Sequence, residues 1–263
     1  MASAPKSQNS LRIVSLAPSA TSILCAIGAK KHLVGVTKWC ADVAPVSRLP
    51  KLGDCWHMDS VDDILALKPS LIIGSVPYKQ ETLAKLLEHP ISFLAMNPRA
   101  LADIYADIRL LGGVAGFAKA AEALVRKMQR EFAVIERSSK RQKRHLSVYS
   151  EAWPNPRISS PPWVEEIVRI AGGELAVPSA EKVSEAQVAA AKPDVIVLAW
   201  TATGDTADGS KAYEVAEWKD VPAIRNHRVY VIRDELLNTP GPPLVKGAKT
   251  VQKLLQGVAN KTD

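Results

Sequence analysis

The side chains of this chain best suited to chemistry are flat and aromatic rather than titratable. Trp39, Trp56, Trp153, Trp163 and Trp200, five of the six tryptophans, stand with Tyr78 on or beside segments that follow β-strand patterns. In open α/β sheets, ligands bind outside the carboxyl ends of the strands. Aromatic rings gathered on such a rim suit a large, flat or greasy ligand, each ring burying about 150–250 Å². Any single tryptophan can instead be a core anchor, and only Trp218 falls in an ordinary helical stretch away from the rim. His57 lies beside Trp56, where it either approaches the metal of a ligand or stands at the surface. Cys40 and Cys55 also border rim tryptophans, and a thiolate on a metal, a bridge between the two and two free thiols are all compatible with the sequence. Cys25 falls on an apolar helix face and is expected to be buried.

Catalytic motifs are absent. There is no phosphate loop, no Gly-x-Ser-x-Gly and no His-Glu-x-x-His. The Gly112-Gly113 and Gly116 cluster follows a helical pattern rather than a strand, so it is no dinucleotide fingerprint. The chain is therefore expected to bind without catalysing, with no catalytic residue, no resident cofactor and no metal site of its own.

Composition narrows the partners. The chain has 263 residues, 47% of them hydrophobic, enough for one large or two modest cores. Its net charge of +7 leans on the run Lys140, Arg141, Lys143 and Arg144, which reads as a solvated linker. No aromatics are interleaved there to stack bases, so nucleic acid is not an expected partner. The longest apolar stretches, Leu71 to Ile73 and Val195 to Trp200, are too short to span a bilayer. Met1 to Ser10 has one lysine and no apolar core, so it is not an intact secretory signal and a cytoplasmic location stays open.

The elements that must position these residues alternate along the chain. Arg12 to Leu16 reads as a buried strand, Ala20 to Ile27 as a helix ended by Gly28, and His32 to Val36 as a second strand. Strands Ser70–Gly74 and Ile91–Ala95, helices 61–67 and 80–87, and a helix 101–111 closed by Gly112-Gly113 follow. From Gly116 to about Gln142, Phe117, Ala121, Leu124, Val125, Met128, Phe132 and Ile135 recur at steps of three and four. That spacing predicts one long amphipathic helix, about 39 Å for roughly 26 residues, long enough to brace two lobes with little hinge motion. Beyond it come strand Leu146–Tyr149, a loop 150–161, helix 162–171 with Ser160 as N-cap, a strand 229–232 and a final helix from Val245.

A weak internal repeat supports two lobes. Ser60 opens Ser-Val-Asp-Asp-Ile-Leu-Ala-Leu-Lys-Pro-Ser-Leu-Ile-Ile, and Ser184 opens Ser-Glu-Ala-Gln-Val-Ala-Ala-Ala-Lys-Pro-Asp-Val-Ile-Val. Each holds a capped helix, a Lys-Pro break and a buried strand. The predicted fold class is α/β, with two Rossmann-like lobes of mainly parallel sheet, residues 11–113 and 145–263, joined by one backbone helix over 114–144.

These residues also resemble a family. Arg-Ile-Val-Ser-Leu-Ala-Pro-Ser-Ala-Thr at 12–21, Leu-Val-Gly-Val-Thr at 33–37, Ile-Leu-Ala-Leu-Lys-Pro-Ser-Leu-Ile-Ile at 64–73 and Trp-Val-Glu-Glu-Ile-Val-Arg-Ile-Ala-Gly-Gly-Glu at 163–174 look like the substrate-binding proteins of vitamin B12 and iron-siderophore ABC importers. Ser-Glu-Ala-Trp-Pro-Asn-Pro at 150–156, with Trp39 and Trp56, looks most like the cobalamin-binding members. The resemblance implies a monomeric, non-enzymatic protein that holds a cobalamin-like corrinoid, or another small-molecule metal chelate, in a cleft between two lobes. By it, Trp39, Trp56 and the 153–163 loop would line the pocket, and an ABC permease would be the partner. It also implies a periplasmic or extracytoplasmic location. A ferric siderophore or haem is the alternative within the fold, ranked second because Arg157 is the only arginine in the Trp153–Trp163 loop. A non-transport carrier or sensor is a further alternative. In the B12 members a glutamate at the start of each repeated helix meets permease arginines. Those positions match Asp62 and Ala186 here, with Glu185 one place earlier, so Asp62 and Glu185 are the implied docking residues.

Overall fold

A computed structural model describes residues 11–58, 60–141 and 144–260. The expectations on Met1–Ser10, Gln142 and Lys143 lie outside the described residues. In chain order the elements are β1 (Ile13–Ser15), α1 (Pro18–Ala26), β2 (Leu33–Thr37), β3 (Lys51–Leu52), α2 (Val61–Ala66), β4 (Leu71–Ser75), α3 (Gln80–Leu87), β5 (Phe93–Met96), α4 (Leu101–Ala115) and α5 (Ala118–Ser139). They continue with β6 (Leu146–Pro154), β7 (Arg157–Ser159), α6 (Val164–Ile170), β8 (Gly173–Leu175), α7 (Glu185–Ala191), β9 (Val195–Leu198), α8 (Pro222–Arg225), β10 (Val229–Val231), α9 (Glu235–Asn238) and α10 (Pro243–Ala259).

The chain forms two compact units. One takes the residues up to Asn97 with Leu110–Ala121, and the other takes Pro98–Arg109 with everything from Glu122. Each is an α/β lobe with a mainly parallel sheet, and the long helix α5 joins them.

In the first lobe the sheet order is β3-β2-β1-β4-β5, and every pairing is parallel. The order reverses between β1 and β4, so the carboxyl ends of those two strands flank the switch-point crevice. Strands buried on both faces need continuous apolar runs, and Val14, Leu16, Ile64, Ile72 and Leu86 form the core they require. In the second lobe β6 pairs in parallel with β8 through its first residues and with β9 on its other side, with β10 beyond. The switch point there lies between β6 and β9, over a core of Tyr149, Val188, Ile196, Leu198 and Trp218.

The internal repeat is built as read. Ser60 accepts the Asp63 amide at the start of α2, and Ser184 forms a full capping box with Gln187 at the start of α7. Both helices end on a lysine with φ of 48°, Lys68 and Lys192, and Pro69 and Pro193 follow. A left-handed residue ahead of proline stops the helix and turns the chain into the next buried strand, β4 or β9.

Several local expectations are corrected. The segment 150–161 is no loop: β6 runs on to Pro154 and hairpins into β7, its turn carrying a cis Asn155–Pro156 bond. The helix after it begins at Val164 with Trp163 at the cap position, and the Ser160 hydroxyl caps nothing. Gly112 and Gly113 do not end α4, which continues to Ala115. A Cβ on Gly112 would stand 2.3 Å from the Ala121 Cβ, so this glycine permits a close helix approach. The stop is Gly116, with φ of +77°, where the Phe117 amide reaches the Gly112 carbonyl and the Gly116 amide that of Gly113. That is a Schellman pair, and it sets α5 to begin at Ala118. Phe117 therefore lies off the long helix and packs edge-on against His32. From there the stripe holds: Ala121, Val125, Met128, Phe132 and Ile135 are buried, with Leu124 half-buried.

Candidate ligand-binding site

Because the strands of each sheet run mainly parallel, the loops after the parallel strands gather on one edge of each lobe, and the expected aromatics distribute over those two edges. In the first lobe Trp39 follows β2 and is half-buried, with the Lys38 ammonium 4.5 Å from its ring centre. Trp56 and His57 follow β3, and both are exposed. Asp54 shapes that loop by accepting the Trp56 and His57 amides, each at 2.8 Å, while its own amide donates to the His57 carbonyl at 2.7 Å. This tight turn leaves the Trp56 side chain 47% exposed. Tyr78 follows β4, half-buried, its hydroxyl donating to the Met96 carbonyl at 2.8 Å.

In the second lobe Trp153, at the end of β6, is 41% exposed, and its indole donates to the Asn155 carbonyl at 2.8 Å. Trp163 and Trp200 are buried instead. The Trp163 indole donates to the Leu237 carbonyl, and that of Trp200 to the Glu151 carboxylate, both at 2.8 Å. Trp218 is wholly buried, and its indole donates to the Glu185 carbonyl.

Behind this rim lies a network that sequence reasoning missed. Glu151 is fully buried on β6, one strand period from Tyr149 and therefore on the same face. The Tyr149 hydroxyl donates to it at 2.6 Å, and Arg157 forks onto both its oxygens at 2.9 and 3.1 Å. Arg157 also reaches Glu185 at 3.2 Å, and its guanidinium stacks 4.4 Å from the Trp218 ring centre. Burial opposes the Arg157 charge, but the Glu151 and Glu185 carboxylates outweigh it and hold its pKa above the usual value. Burial and the Glu151 charge push the Tyr149 phenol up, so it stays a donor. A cavity of about 110 Å³, lined by Glu151, Arg157, Trp200, Lys211 and Trp218 among others, opens beside the network.

Of the two implied docking carboxylates, Asp62 is exposed in the first turn of α2, whereas Glu185 is engaged by Arg157. Arg157, the one loop arginine, is likewise committed to two carboxylates. The three cysteines are free thiols; Cys40 and Cys55 are buried and Cys25, expected to be buried, is only partly so. Burial pushes Cys55 up to about 12, with Asp54 adding to the shift. Among the described residues, no three His, Cys, Asp or Glu side chains come together as a metal-ligand set, and no helix is long and apolar enough to cross a membrane.

Among the described residues, five buried polar side-chain atoms have no hydrogen-bond partner: Ser19 Oγ in the first turn of α1, Ser75 Oγ at the end of β4, Ser150 Oγ on β6, Ser160 Oγ just after β7 and Asn238 Oδ1 at the end of α9. The first two belong to the elements that flank the switch point of the first lobe. Asn238 spends its amide hydrogens on the Ala199 carbonyl and the Thr201 hydroxyl, just past β9. A polar ligand group offers such atoms the partner that burial denies them. In the sequence only Pro18-Ser19 after a strand hinted at any of them.

This arrangement has counterparts. The profile of the periplasmic binding protein family matches residues 13–236. An uncharacterized ABC transporter substrate-binding lipoprotein of Bacillus subtilis is 27% identical, over 90% of this chain and 77% of that protein. A vitamin B12-binding protein of Vibrio parahaemolyticus is 26% identical over 95% of this chain and 91% of its own length. Among solved structures, the apo periplasmic heme-binding protein from Roseiflexus superposes with a TM-score of 0.82 at 23% identity, covering 95% of this chain and all (100%) of that one. The periplasmic vitamin B12 binding protein of Vibrio cholerae does so with 0.74 at 22%, covering 94% and 97%. With two parallel α/β lobes, a long joining helix and this match over most of its length, the chain belongs to the periplasmic binding protein family, whose members serve ABC transporters as substrate-binding proteins and are not enzymes.

Proposed function

We propose that this protein binds a cobalamin-like corrinoid and presents it to the permease of an ABC-type importer. The observation that carries the reading is the pair Trp56 and Trp153, large rings held 47% and 41% exposed on the strand-end rims of the two lobes. Each exposed indole face is apolar area that a flat ligand can cover. Covering about 100 Å² of ring is worth at most about 2.5 kcal/mol. Corrins are broad and edged with carboxamides, a chemistry that the unpartnered Ser19, Ser75 and Asn238 oxygens complement. Several relatives named as vitamin B12-binding proteins align over most of the chain.

Titration with cyanocobalamin should quench the tryptophan fluorescence and shift the corrin absorption. Trp56→Ala and Trp153→Ala should each weaken binding by about tenfold, less than the area limit because ligand positioning and desolvation consume part of it. Binding of a ferric siderophore but not of cyanocobalamin refutes the corrinoid. Binding without any association with a permease favours a carrier or sensor.

Haem is the second reading, favoured by His57, whose exposed imidazole stands next to Trp56 and is a ready axial ligand for a metal chelate. His57→Ala should then abolish the imidazole-ligated haem spectrum while leaving cyanocobalamin binding unchanged.

A further inference from the structure

The charge of this chain is concentrated on one pair of helices. Residues 118–141, which are α5 and the turn after it, carry seven basic and three acidic side chains, and α10 carries three lysines and no acid. Their sum equals the net charge of +7 of the whole chain, so the remaining residues balance to zero. The two helices pack together within the second lobe. Gln252 of α10 donates to the Ile135 carbonyl and the Ser139 hydroxyl of α5, both at 2.8 Å, and Lys249 pairs with Glu131.

Between them runs a groove of about 320 Å³. Its floor is apolar, made of Leu124, Met128, Pro242 and Val245, and its walls carry Lys127, Lys246 and Lys249 against the single carboxylate Glu131. Val134, one heptad on from Lys127 and so on the same helix face, is 56% exposed. Lysine walls over an apolar floor complement a molecule with an anionic head and an apolar body. The lack of aromatic side chains along the groove leaves nothing to stack bases.

We propose that this basic face of α5 and α10 docks onto the headgroup layer of an anionic phospholipid membrane. Lys127 and Lys246 take the phosphate, beside the Lys249–Glu131 pair, and the groove floor takes the glycerol and the first methylenes. The flanking Arg126, Arg130 and Lys253, all exposed, add long-range attraction to the same surface. Binding is peripheral and reversible, since no described helix can cross a bilayer.

The test is co-sedimentation of the purified full chain with vesicles of phosphatidylglycerol and phosphatidylcholine, and with phosphatidylcholine alone. Binding is expected only with the anionic lipid and should vanish in about 1 M salt, where the screening length falls to about 3 Å. Lys127→Glu with Lys246→Glu should lower the affinity at least about tenfold. Lys85→Glu with Lys219→Glu, an equal charge change at exposed sites elsewhere, should lower it far less. Short-chain phosphatidylglycerol should compete better than glycerol phosphate, which separates a lipid from a free phosphate. Equal loss in both double variants, equal binding to the two vesicle types, or binding of polyglutamate with none of vesicles overturns the proposal. Unchanged circular dichroism and melting show that the variants keep the fold.

Discussion

Replacing Arg157 by alanine tests the buried network most directly. Glu151 has no solvent-exposed surface and accepts four hydrogen bonds, two of them from Arg157 and one each from Tyr149 and Trp200. Removing one partner of a buried ion pair costs about 3–5 kcal/mol, because a charge is left without compensation. Here the two neutral donors stay, and the adjoining cavity of about 110 Å³ can admit water. Both place the loss at the lower end, about 3 kcal/mol. At about 2–4 °C per kcal/mol for a unit of this size, the melting point should fall by about 6–12 °C. Arg157→Met with Glu151→Met removes both charges and should recover much of the loss, giving a coupling of about 2 kcal/mol in a double-mutant cycle read by urea unfolding. A cost below about 1 kcal/mol for Arg157→Ala would refute the reasoning, since it would mean that Glu151 is solvated without its partner.

Three further outcomes follow from single features. Gly247→Ala should destabilise by at least about 3 kcal/mol, because its Cβ would lie 1.9 Å from the Leu236 carbonyl oxygen, whereas Gly113→Ala, with no atom within 4 Å, should stabilise α4 by up to about 1 kcal/mol; urea unfolding compares them. The Asp107 carboxyl is pushed up to about 6 by burial and by neighbouring Asp103, so ionisation penalises the folded state above that pH. Asp107→Asn should therefore stabilise by about 1 kcal/mol at pH 7, after allowance for solvent screening, and the gain should fade as pH falls from about 6 and be gone well below the unfolded value of 3.8, where both folded and unfolded carboxyls are protonated; thermal melts against pH check this. Native protein should react slowly with a thiol reagent at Cys40 and Cys55, both buried with raised pKa, and denaturation should release all three thiols without a reductant.

The alternation of strands and helices was legible because strands buried on both faces must be apolar throughout, as in Leu71–Ile73 and Val195–Leu198. The capped repeat was legible because Ser60 and Ser184 do locally what such residues do in any helix. The short strands β7 and β8 were not: they show no period of their own, and the prolines of the hairpin turn read as loop. Gly112 carried a stop signal in sequence, but its contact with Ala121 turned it into a packing residue. On the rim, residue type and position brought Trp56 and Trp153 into view. They could not distinguish these from Trp163 and Trp200, which are anchored by partners 74 and 49 residues away. Glu185 shows the same limit, since its partner Arg157 is 28 residues distant and lies on a hairpin the pattern concealed.

The paired left-handed lysines bear on how such a chain can grow. Lys68 and Lys192 each hold a conformation that costs a side-chain-bearing residue about 1 kcal/mol, where a glycine would sit without strain. In return, the proline that follows leaves the helix a single exit direction, and the strand after it starts already aimed. A stretch of fourteen codons from Ser60 to Ile73 thus encodes its own beginning, its own end and the heading of what comes next. Copied elsewhere in a gene, it needs no newly evolved connector to deliver a strand into a sheet, and the segment from Ser184 to Val197 has the form of such a copy.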